Sequence, residues 1–403
     1  MNNDNNLIPL YRFPEFKDDG NWNLSPLSDK IDYERPDKYI VKNTNYLNKG
    51  IPVLTANKSF VLGYTDENEG VYRDNLPVII FDDFTVDNKY VDFPFKVKSS
   101  AIKILKNKNE KDSLKFFYEL MSQIKFEAKE HKRYYISAYQ KIEVPVPLNP
   151  AEQKKIAACL SSLDNVIAGH EEKLTALEEH KKGLMQNLFP QEGETQPKFR
   201  FLEFENDGDW MEKKLGDVAI LTSSKRVHLA DYVPEGIPFF RGKEITELKY
   251  NTTPKDLLYI SKEQYEIIKS KYGIPSIGDI LITAVGTLGN TLLIDKEFKF
   301  YFKDGNLIWL KNITEDSSFL DLLLIVRKDK VLESAIGSSQ KALTMEALRK
   351  LEFLFPPTQS EQQKIAAILS SVDELIIAQR EKIEALKEHK KGLMQGLFPK
   401  IES

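Results

Sequence analysis

The sequence predicts an α+β fold in which two globular α/β bodies are combined with an antiparallel two-helix coiled coil, in an internal pseudo-two-fold repeat. One observation is a duplication, because Glu152–Pro190 matches Glu361–Pro399 at 26 of 39 positions without gaps. Another is a weaker echo, in which Tyr11–Trp22 and Phe199–Trp210 share an arginine, an E-F pair, a D-G pair and a tryptophan. Internal duplication decides architecture before local propensity does. A doubled unit on one chain indicates a two-part target.

The repeat divides the chain into a first body at 1–150, a helix at 151–190, a second body at 191–359 and a second helix at 360–403. The first body contains runs of aromatic and β-branched residues, IPVLTANKSFVLGY, LPVIIFDDFTV and KYVDFPFKV, which predict short strands. A helix is predicted around Ser113–Lys132. The body ends in an apolar, proline-rich exit that leads directly into the first repeated helix.

Each long repeat has apolar residues at alternating steps of four and three, which is the spacing of a coiled-coil seam. The same two seam positions are polar in both copies: His170 and Lys181 in the first, Gln379 and Lys390 in the second. We expect the two helices to pair antiparallel, although pairing in trans with another chain stays an alternative. The predicted seam consists of Ile156, Leu160, Leu163, Ile167, His170, Leu174 and Leu177 with Ile365, Leu369, Val372, Ile376, Gln379, Ile383 and Leu386.

The second body resembles the first in style. Strands are predicted in IPFFRG, GDILITAVGTLGNTLLI, KFYF and NLIWL, and helices at Lys262–Ser270 and Glu346–Glu352. Before the second long helix, Ser360 and Gln363 have the spacing of a capping box. Both long helices end in HKKGLMQ-x-LFP, and this repetition favours two equivalent docking surfaces for a partner present in two copies, with common ancestry as the other explanation.

Composition and missing motifs exclude several classes of function. The net charge of −4 is not that of a basic nucleic-acid-binding domain, so any DNA contact must come from local patches. The five histidines and the single cysteine have no metal-ligand spacing, and no phosphate loop or dinucleotide fingerprint is present. No apolar run approaches the roughly 20 residues of a membrane span, and the N-terminus lacks the pattern of a signal peptide. We therefore expect a cytoplasmic, non-catalytic chain.

The order of these motifs resembles the specificity (S) subunit of type I restriction–modification enzymes. The resemblance rests on RF-x-EF…GxW, a variable body, a proline-rich exit, EQ-x-KIA-x-L and a charged helix, followed by the same series again. It implies two target-recognition domains that each read half of a bipartite double-stranded DNA sequence, with the helices as the spacer between them. It also implies two methyltransferase (M) subunits and restriction (R) subunits as partners. S-adenosylmethionine, ATP and Mg²⁺ would belong to those partners, and no cofactor to this chain.

Within that interpretation the candidate DNA contacts are basic or polar side chains near predicted loops and strand ends, because such groups bind phosphates and base edges. A solvated, lysine-rich surface is an equally good reading of any single lysine. A protein-interaction adaptor without DNA binding is the alternative function for the whole chain. The candidates are Asn57, Lys58, Lys89, Lys96, Lys98 and Lys103 in the first body, and Lys225, Arg226, Arg241, Lys243, Thr287 and Asn290 in the second.

Overall fold

A computed structural model describes residues 7–57, 59–130, 132–249, 252–338 and 341–400 of the chain. Its contacts divide the chain into two compact units. The first unit consists of Met1–Glu172 with Arg380–Ser403, and the second of Lys173–Gln379. Among the residues that the structure describes, no helix is both long and apolar enough to cross a membrane.

The first unit is built from three small sheets and a short helix that packs on them. Its elements are β1 (Asn23–Pro26), α1 (Leu27–Lys30), β2 (Ile31–Glu34), β3 (Ile51–Leu54), β4 (Val61–Thr65), β5 (Val78–Asp82), β6 (Asn88–Val91), β7 (Lys96–Val97), β8 (Ile102–Asn107), α2 (Leu114–Met121), β9 (Glu143–Val146) and α3 (Pro150–Asn187). The strand orders are β1-β9, β2-β8-β5-β6 and β4-β3-β7. The pairing of β3 with β7 is parallel, and the other pairings are antiparallel.

Helix α2 begins where the sequence predicts a helix but is shorter. The Ser113 side chain accepts a hydrogen bond from the Phe116 amide and so caps the helix, which ends at Met121. The predicted helix extended to Lys132. The segment after Ser122 is irregular instead, and Ile124 and Phe126 pack on the core of the unit from this irregular segment.

The second unit repeats this plan with additional helices. Its elements are β10 (Met211–Lys214), α4 (Leu215–Val218), β11 (Ile220–Thr222), β12 (Tyr232–Val233), β13 (Ile237–Phe240), α5 (Gly242–Lys249), β14 (Leu258–Ile260), α6 (Lys262–Tyr272), β15 (Ile280–Thr283), β16 (Thr291–Leu293), β17 (Tyr301–Phe302), β18 (Leu307–Lys311), α7 (Ser317–Val326), α8 (Lys328–Glu333), α9 (Met345–Arg349), β19 (Glu352–Phe355) and α10 (Gln359–Leu397). The strand orders are β10-β19, β11-β18-β15-β16 and β12-β14-β13-β17.

Both long helices leave a β-strand through a short turn that caps their first residues. In α3 the Asn149 side chain accepts a hydrogen bond from the Ala151 amide, and in α10 the Thr358 hydroxyl accepts one from the Glu361 amide. The predicted capping role of Ser360 is therefore wrong. Ser360 is the second residue of the helix and lies two residues after the capping Thr358.

In the first unit the two long helices run antiparallel. Lys390 of α10 lies 2.7 Å from Asp164 of α3, and Lys387 lies 2.8 Å from Glu171. The residue numbers of these contacts decrease along α10 as they increase along α3, which is the order of an antiparallel pair. The Lys390–Asp164 pair is partly buried, and a charged residue at a seam position of this kind favours one register of two helices.

The second unit contains the equivalent pair. Lys181 of α3 lies 2.6 Å from Asp373 of α10. The two long repeats are 209 positions apart in the sequence, so Asp373 is the counterpart of Asp164 and Lys181 that of Lys390. The lysines that interrupt the predicted seam are thus the residues that link the helices by charge.

None of the predicted seam residues is exposed. The buried ones are Ile156, Leu160, Ile167, Ile365, Leu369, Val372, Ile376, Gln379 and Ile383. Partly buried are Leu163, His170, Leu174, Leu177 and Leu386. The chain therefore has the predicted α+β class, with two mixed units and an antiparallel helix pair.

Candidate functional site

A repeated ion pair attaches the start of each long helix to its unit. In the first unit Arg12 donates from Nε and from one terminal nitrogen to the two oxygens of Glu152, each at 2.8 Å. The Trp22 indole donates to the same carboxylate at 3.3 Å, and Arg12 also donates to the Gly20 carbonyl at 2.6 Å. The Glu152 side chain is 0% exposed. We call this group the anchor, and it accounts for the RF-x-EF…GxW motif.

The second unit has the same anchor at the equivalent positions. Arg200 holds both oxygens of Glu361 at 2.8 and 2.7 Å, and Trp210 donates to that carboxylate at 3.3 Å. The hydrogen bond with Glu361 raises the pKa of Arg200 against the opposing effect of burial, as that with Glu152 does for Arg12. A fork of two charge-assisted bonds fixes direction as well as position.

The end of each long helix completes the core of the unit in which it ends. In the first unit Phe398, just after α10, packs edge-on against Trp22 and at a tilt against Phe116 of α2, with ring centroids 6.2 and 5.3 Å away. In the second unit Phe189, just after α3, packs edge-on against Trp210 and stacks on Phe319 of α7. Helix α3 thus begins in the first unit and ends in the second, and α10 does the reverse.

Each of these helix ends lines a groove. In the first unit a groove of about 1400 Å³ lies between α10 and the segment after α2. In the second unit a smaller groove of about 430 Å³ lies between α3 and the end of α7. Eight equivalent positions line both grooves. Two of them differ, with Lys387 and Lys400 in the first groove and Glu178 and Gln191 in the second. The six that carry the same residue are Lys390, Lys391, Met394, Gln395, Phe398 and Pro399 in the first, and Lys181, Lys182, Met185, Gln186, Phe189 and Pro190 in the second.

The first groove has a more basic rim than the second. Lys390 is neutralised, because it contacts Asp164 and also lies 3.3 Å from Glu119. Burial lowers the pKa of Lys390, but these carboxylates raise that pKa by more. Apart from this cluster, the lining carries Lys125, Lys387, Lys391 and Lys400 and only one carboxylate, Glu143. In the second groove the Arg327 guanidinium donates to the Pro190 carbonyl at the equivalent end.

Two of the predicted DNA contacts in the first unit are buried in ion pairs. Lys96 is 2% exposed and lies 2.9 Å from Glu67, and its ammonium donates to the Glu69 carbonyl at 2.6 Å. Lys103 is 4% exposed and lies 3.2 Å from Asp83. Separating a buried ammonium from its carboxylate leaves an uncompensated charge. These two lysines therefore hold strands in place and are not available to a phosphate.

Other candidates in the first unit lie on its surface. Asn57 is exposed in the turn between β3 and β4, where it accepts a hydrogen bond from Thr85. Lys98 is exposed, and its amide donates to the Leu54 carbonyl, which brings it to the same turn. Lys89 lies half-exposed on β6. Lys58 lies outside the described residues.

In the second unit, four basic candidates lie in two places. Lys225 and Arg226 follow β11, where the Lys225 ammonium lies 5.3 Å from the ring centroid of Tyr272. Arg241 precedes α5 and forks onto the buried Glu244, while Lys243 is 53% exposed on the first turn. Arg226 donates to Asp304 at 2.9 Å yet stays largely exposed, so a phosphate could exchange for that carboxylate.

The glycine-marked loop between β15 and β16 presents one candidate and buries the other. Thr287 is exposed between Gly286 and Gly289, which both have positive φ angles of 82° and 71°. Asn290 is buried instead. Its amide donates to the Thr246 hydroxyl at 3.0 Å, and its side-chain oxygen accepts from Lys328 at 2.7 Å. Its predicted DNA contact is replaced by a role in holding the loop to α5 and α8.

Comparisons with known proteins agree with this duplicated construction. The chain matches the family described as the type I restriction modification DNA specificity domain over residues 20–179 and again over 207–388. It is 43% identical over 157 residues to the specificity subunit of the type I restriction enzyme EcoR124I/EcoR124II of Escherichia coli, covering 38% of this chain and 38% of that relative. The chain thus spans well under two thirds of the length of this relative.

Longer matches cover nearly the whole chain. The specificity subunit of the type I restriction enzyme MjaVIII of Methanocaldococcus jannaschii is 25% identical over 385 residues, which are 91% of this chain and 87% of that protein. The crystal structure of a type I restriction-modification S subunit from M. genitalium has a TM-score of 0.65 at 16% identity, covering 98% of this chain and all of that one. That likeness establishes a common fold.

Proposed function

Because the chain belongs to the family of type I restriction-modification DNA specificity subunits, we propose that its two units read the two halves of a bipartite DNA target and that its two grooves each bind one methyltransferase subunit. In this proposal the chain recognises DNA sequence and carries no chemistry itself. Methylation with S-adenosylmethionine belongs to the partner methyltransferases, and ATP- and Mg²⁺-dependent cleavage to restriction subunits. The complex would act in the cytoplasm, where these substrates and the DNA are found.

The proposal rests on one observation: the residues that are the same in both units and the residues that differ between them lie at different places in each unit. The anchors and the six groove positions are the same in both units. The surface loops that bear candidate DNA contacts differ between the units. Repeated groove residues suit two copies of one partner, whereas unlike loops suit two unlike half-sites.

The basic rim of the first groove indicates the chemistry of its partner surface. Lys125, Lys387, Lys391 and Lys400 surround apolar walls that include Met394 and Phe398. Lys387 and Lys391 pair with Glu171 and Glu388 only at the surface, where another carboxylate can replace these partners at little cost. An acidic, amphipathic segment of the methyltransferase would match both the charge and the apolar floor. The groove is large enough for several side chains of such a segment.

A charge reversal in each groove tests the docking of methyltransferase subunits. We expect Lys391→Glu to lower the stoichiometry from two methyltransferases per chain to one, and Lys391→Glu with Lys182→Glu to abolish binding, because like charges across an interface are strongly unfavourable. Native mass spectrometry of the co-expressed subunits measures this. Lys350→Glu is the matched control, since that exposed lysine lies on neither groove. Full stoichiometry in both groove variants would contradict this part of the proposal.

DNA recognition is tested separately on the purified complex with its methyltransferase. We expect binding that weakens linearly in log–log form as salt rises, with adenine methylation confined to one two-part sequence. An adaptor without DNA binding would give neither result. Absence of salt-sensitive binding in a complex of full stoichiometry would therefore reject the recognition function and leave the docking result intact.

A further inference from the structure

A segment of each unit repeats its framework residues but not its exposed residues. Val41–Pro52 aligns without gaps with Val227–Pro238, and the two stretches share Val, Tyr, Gly, Ile and Pro at equivalent positions. The residues between the shared ones are KNTN and LNK in the first stretch, and HLAD and VPE in the second. We call residues 42–49 and 228–235 the crossing segments.

The first crossing segment runs between the two edges of the sheet β4-β3-β7. At one edge the Val41 amide donates to the Val97 carbonyl beside β7, at 3.0 Å. At the other edge Leu47 and Tyr64 exchange two backbone hydrogen bonds beside β4, at 2.8 and 3.0 Å. The segment is thus fixed to the sheet at both ends.

Between those ends a single carboxylate holds the backbone of the first crossing segment. One Glu67 oxygen accepts from the Lys42 amide at 2.9 Å and from the Asn43 amide at 2.7 Å. Glu67 is itself fixed by the buried Lys96. The Asn43 side chain accepts from the Asn45 amide at 2.9 Å, which tightens the turn. A segment so constrained presents its side chains with little loss of entropy on binding.

The second crossing segment is held in the same position of its own sheet. Tyr232 and Val233 form the edge strand β12, which pairs with Ile260 and Tyr259 of β14. Gly236 lies against the Ile260 carbonyl so closely that a Cβ atom would collide with it. Gly50 has the same relation to Thr65, the β4 residue that pairs with Ile51. The shared glycines are therefore required by the close approach of the segment to its neighbouring strand.

The side chains that differ between the two crossing segments are the ones that face solvent. In the first segment the exposed residues are Lys42, Asn43, Thr44, Asn45, Leu47, Asn48 and Lys49, of which only Leu47, at 45% exposure, is apolar. In the second, Leu229 is 87% exposed, which places a large apolar side chain in water. His228 and Glu235 are exposed beside it.

We propose that the two crossing segments are the principal base-reading elements of the two units. Asparagine amides pair bidentately with adenine in the major groove, and lysines at the ends of the first segment suit the flanking phosphates. Exposed Leu229 suits contact with a thymine methyl group. The same framework thus carries different recognition chemistry in each unit. This inference rests on the proposed DNA recognition function and names the residues that perform it.

The test uses the complex with its methyltransferase and maps methylated adenines across a genome. We expect Asn45→Ala with Asn48→Ala to relax one or two bases of one half-site, lowering discrimination there by roughly 10- to 100-fold, and to leave the other half-site unchanged. Leu229→Ala should relax the other half-site only. The matched controls are Asn23→Ala and Leu202→Ala, because these residues are also exposed and lie outside the crossing segments.

The possible outcomes distinguish the base-reading role of the crossing segments from the proposed function of the whole chain. An unchanged recognition sequence in both crossing-segment variants would overturn the inference, while the bipartite methylation of the parent complex would still support the proposed function. Equal relaxation of both half-sites by either variant would also overturn it. Failure of the parent complex to methylate any bipartite site would reject the proposed function itself. Should the double substitution lower the Tm, Asn45→Ser alone, which keeps a polar side chain, carries the same test.

Discussion

Neutralising one buried carboxylate should loosen one unit of the protein and not the other. In Glu152→Gln the shape of the side chain stays, but the Arg12 guanidinium loses its counter-charge while remaining buried. Breaking a buried ion pair by changing one partner costs roughly 3–5 kcal/mol. Part of the bonding survives, because the amide oxygen still accepts from Arg12 or Trp22, so we expect the lower end, about 3 kcal/mol. At about 1.4 kcal/mol per factor of ten, this corresponds to a roughly 100-fold increase in local opening.

Hydrogen exchange followed by mass spectrometry measures this effect by segment. We expect faster exchange in the first turns of α3 and in the peptide around Trp22 for Glu152→Gln. Glu361→Gln should give the mirror result at the start of α10 and around Trp210. Glu15→Gln is the internal control, because Glu15 pairs with Lys155 beside the same anchor but in solvent, and we expect no measurable change. The reasoning is refuted if either anchor variant accelerates exchange equally in both units, or in neither.

Three further predictions concern the recognition surface and the spacer. The Glu67 carboxylate accepts from the Asn43 amide and pairs with Lys96, which lowers the pKa of Glu67. Its stabilising effect on the first crossing segment is therefore present at neutral pH and is lost as the pH falls below about 4.5. The protection of the Asn43 amide against hydrogen exchange, compared at each pH with that in Glu67→Gln, measures this, and the difference between the two proteins should disappear at low pH. Arg241→Ala should alter recognition of one half-site and leave the other intact in methylation maps, and equal loss at both would mean that the Arg241–Glu244 fork maintains the fold instead. Inserting one heptad into each long helix should lengthen the tolerated gap between half-sites by roughly 10 Å, and an unchanged gap preference in the same maps would show that the helices do not set the distance.

The sequence predicts the duplicated parts of the fold well because their determinants are local and periodic. The heptad spacing identifies both long helices, and the shared R-F-x-E-F and tryptophan positions identify the start of each repeated body, although the sequence does not predict that they bind Glu152 and Glu361. Helix α7 is a nearly continuous apolar run without a helical or strand periodicity, so the sequence pattern does not predict its secondary structure. Ser360 and Thr358 are both plausible caps by residue type, and only the backbone path out of β19 selects Thr358.

Individual DNA contacts are harder to predict because the role of a lysine depends on residues that are distant in sequence. Lys96 looks like a surface cation until Glu67 and the Glu69 carbonyl are brought to it by the sheet. Asn290 looks like a loop residue until Thr246 and Lys328 satisfy both ends of its amide. The crossing segments cannot be recognised from the sequence, because their match is only five residues. The match becomes significant only when the structure places both stretches at the same edge of equivalent sheets.

Because each long helix begins in one unit and ends in the other, the order of synthesis determines which unit can be completed first. The second unit is one continuous stretch, Lys173–Gln379, which is synthesised before Phe398. The first unit, although made first, needs Phe398 to cover Trp22 and Phe116. Its apolar interior therefore stays open throughout translation of the second unit. We therefore expect the aromatic surface of the first unit to stay exposed until Phe398 is available, and exposed apolar surface of this kind favours aggregation during synthesis.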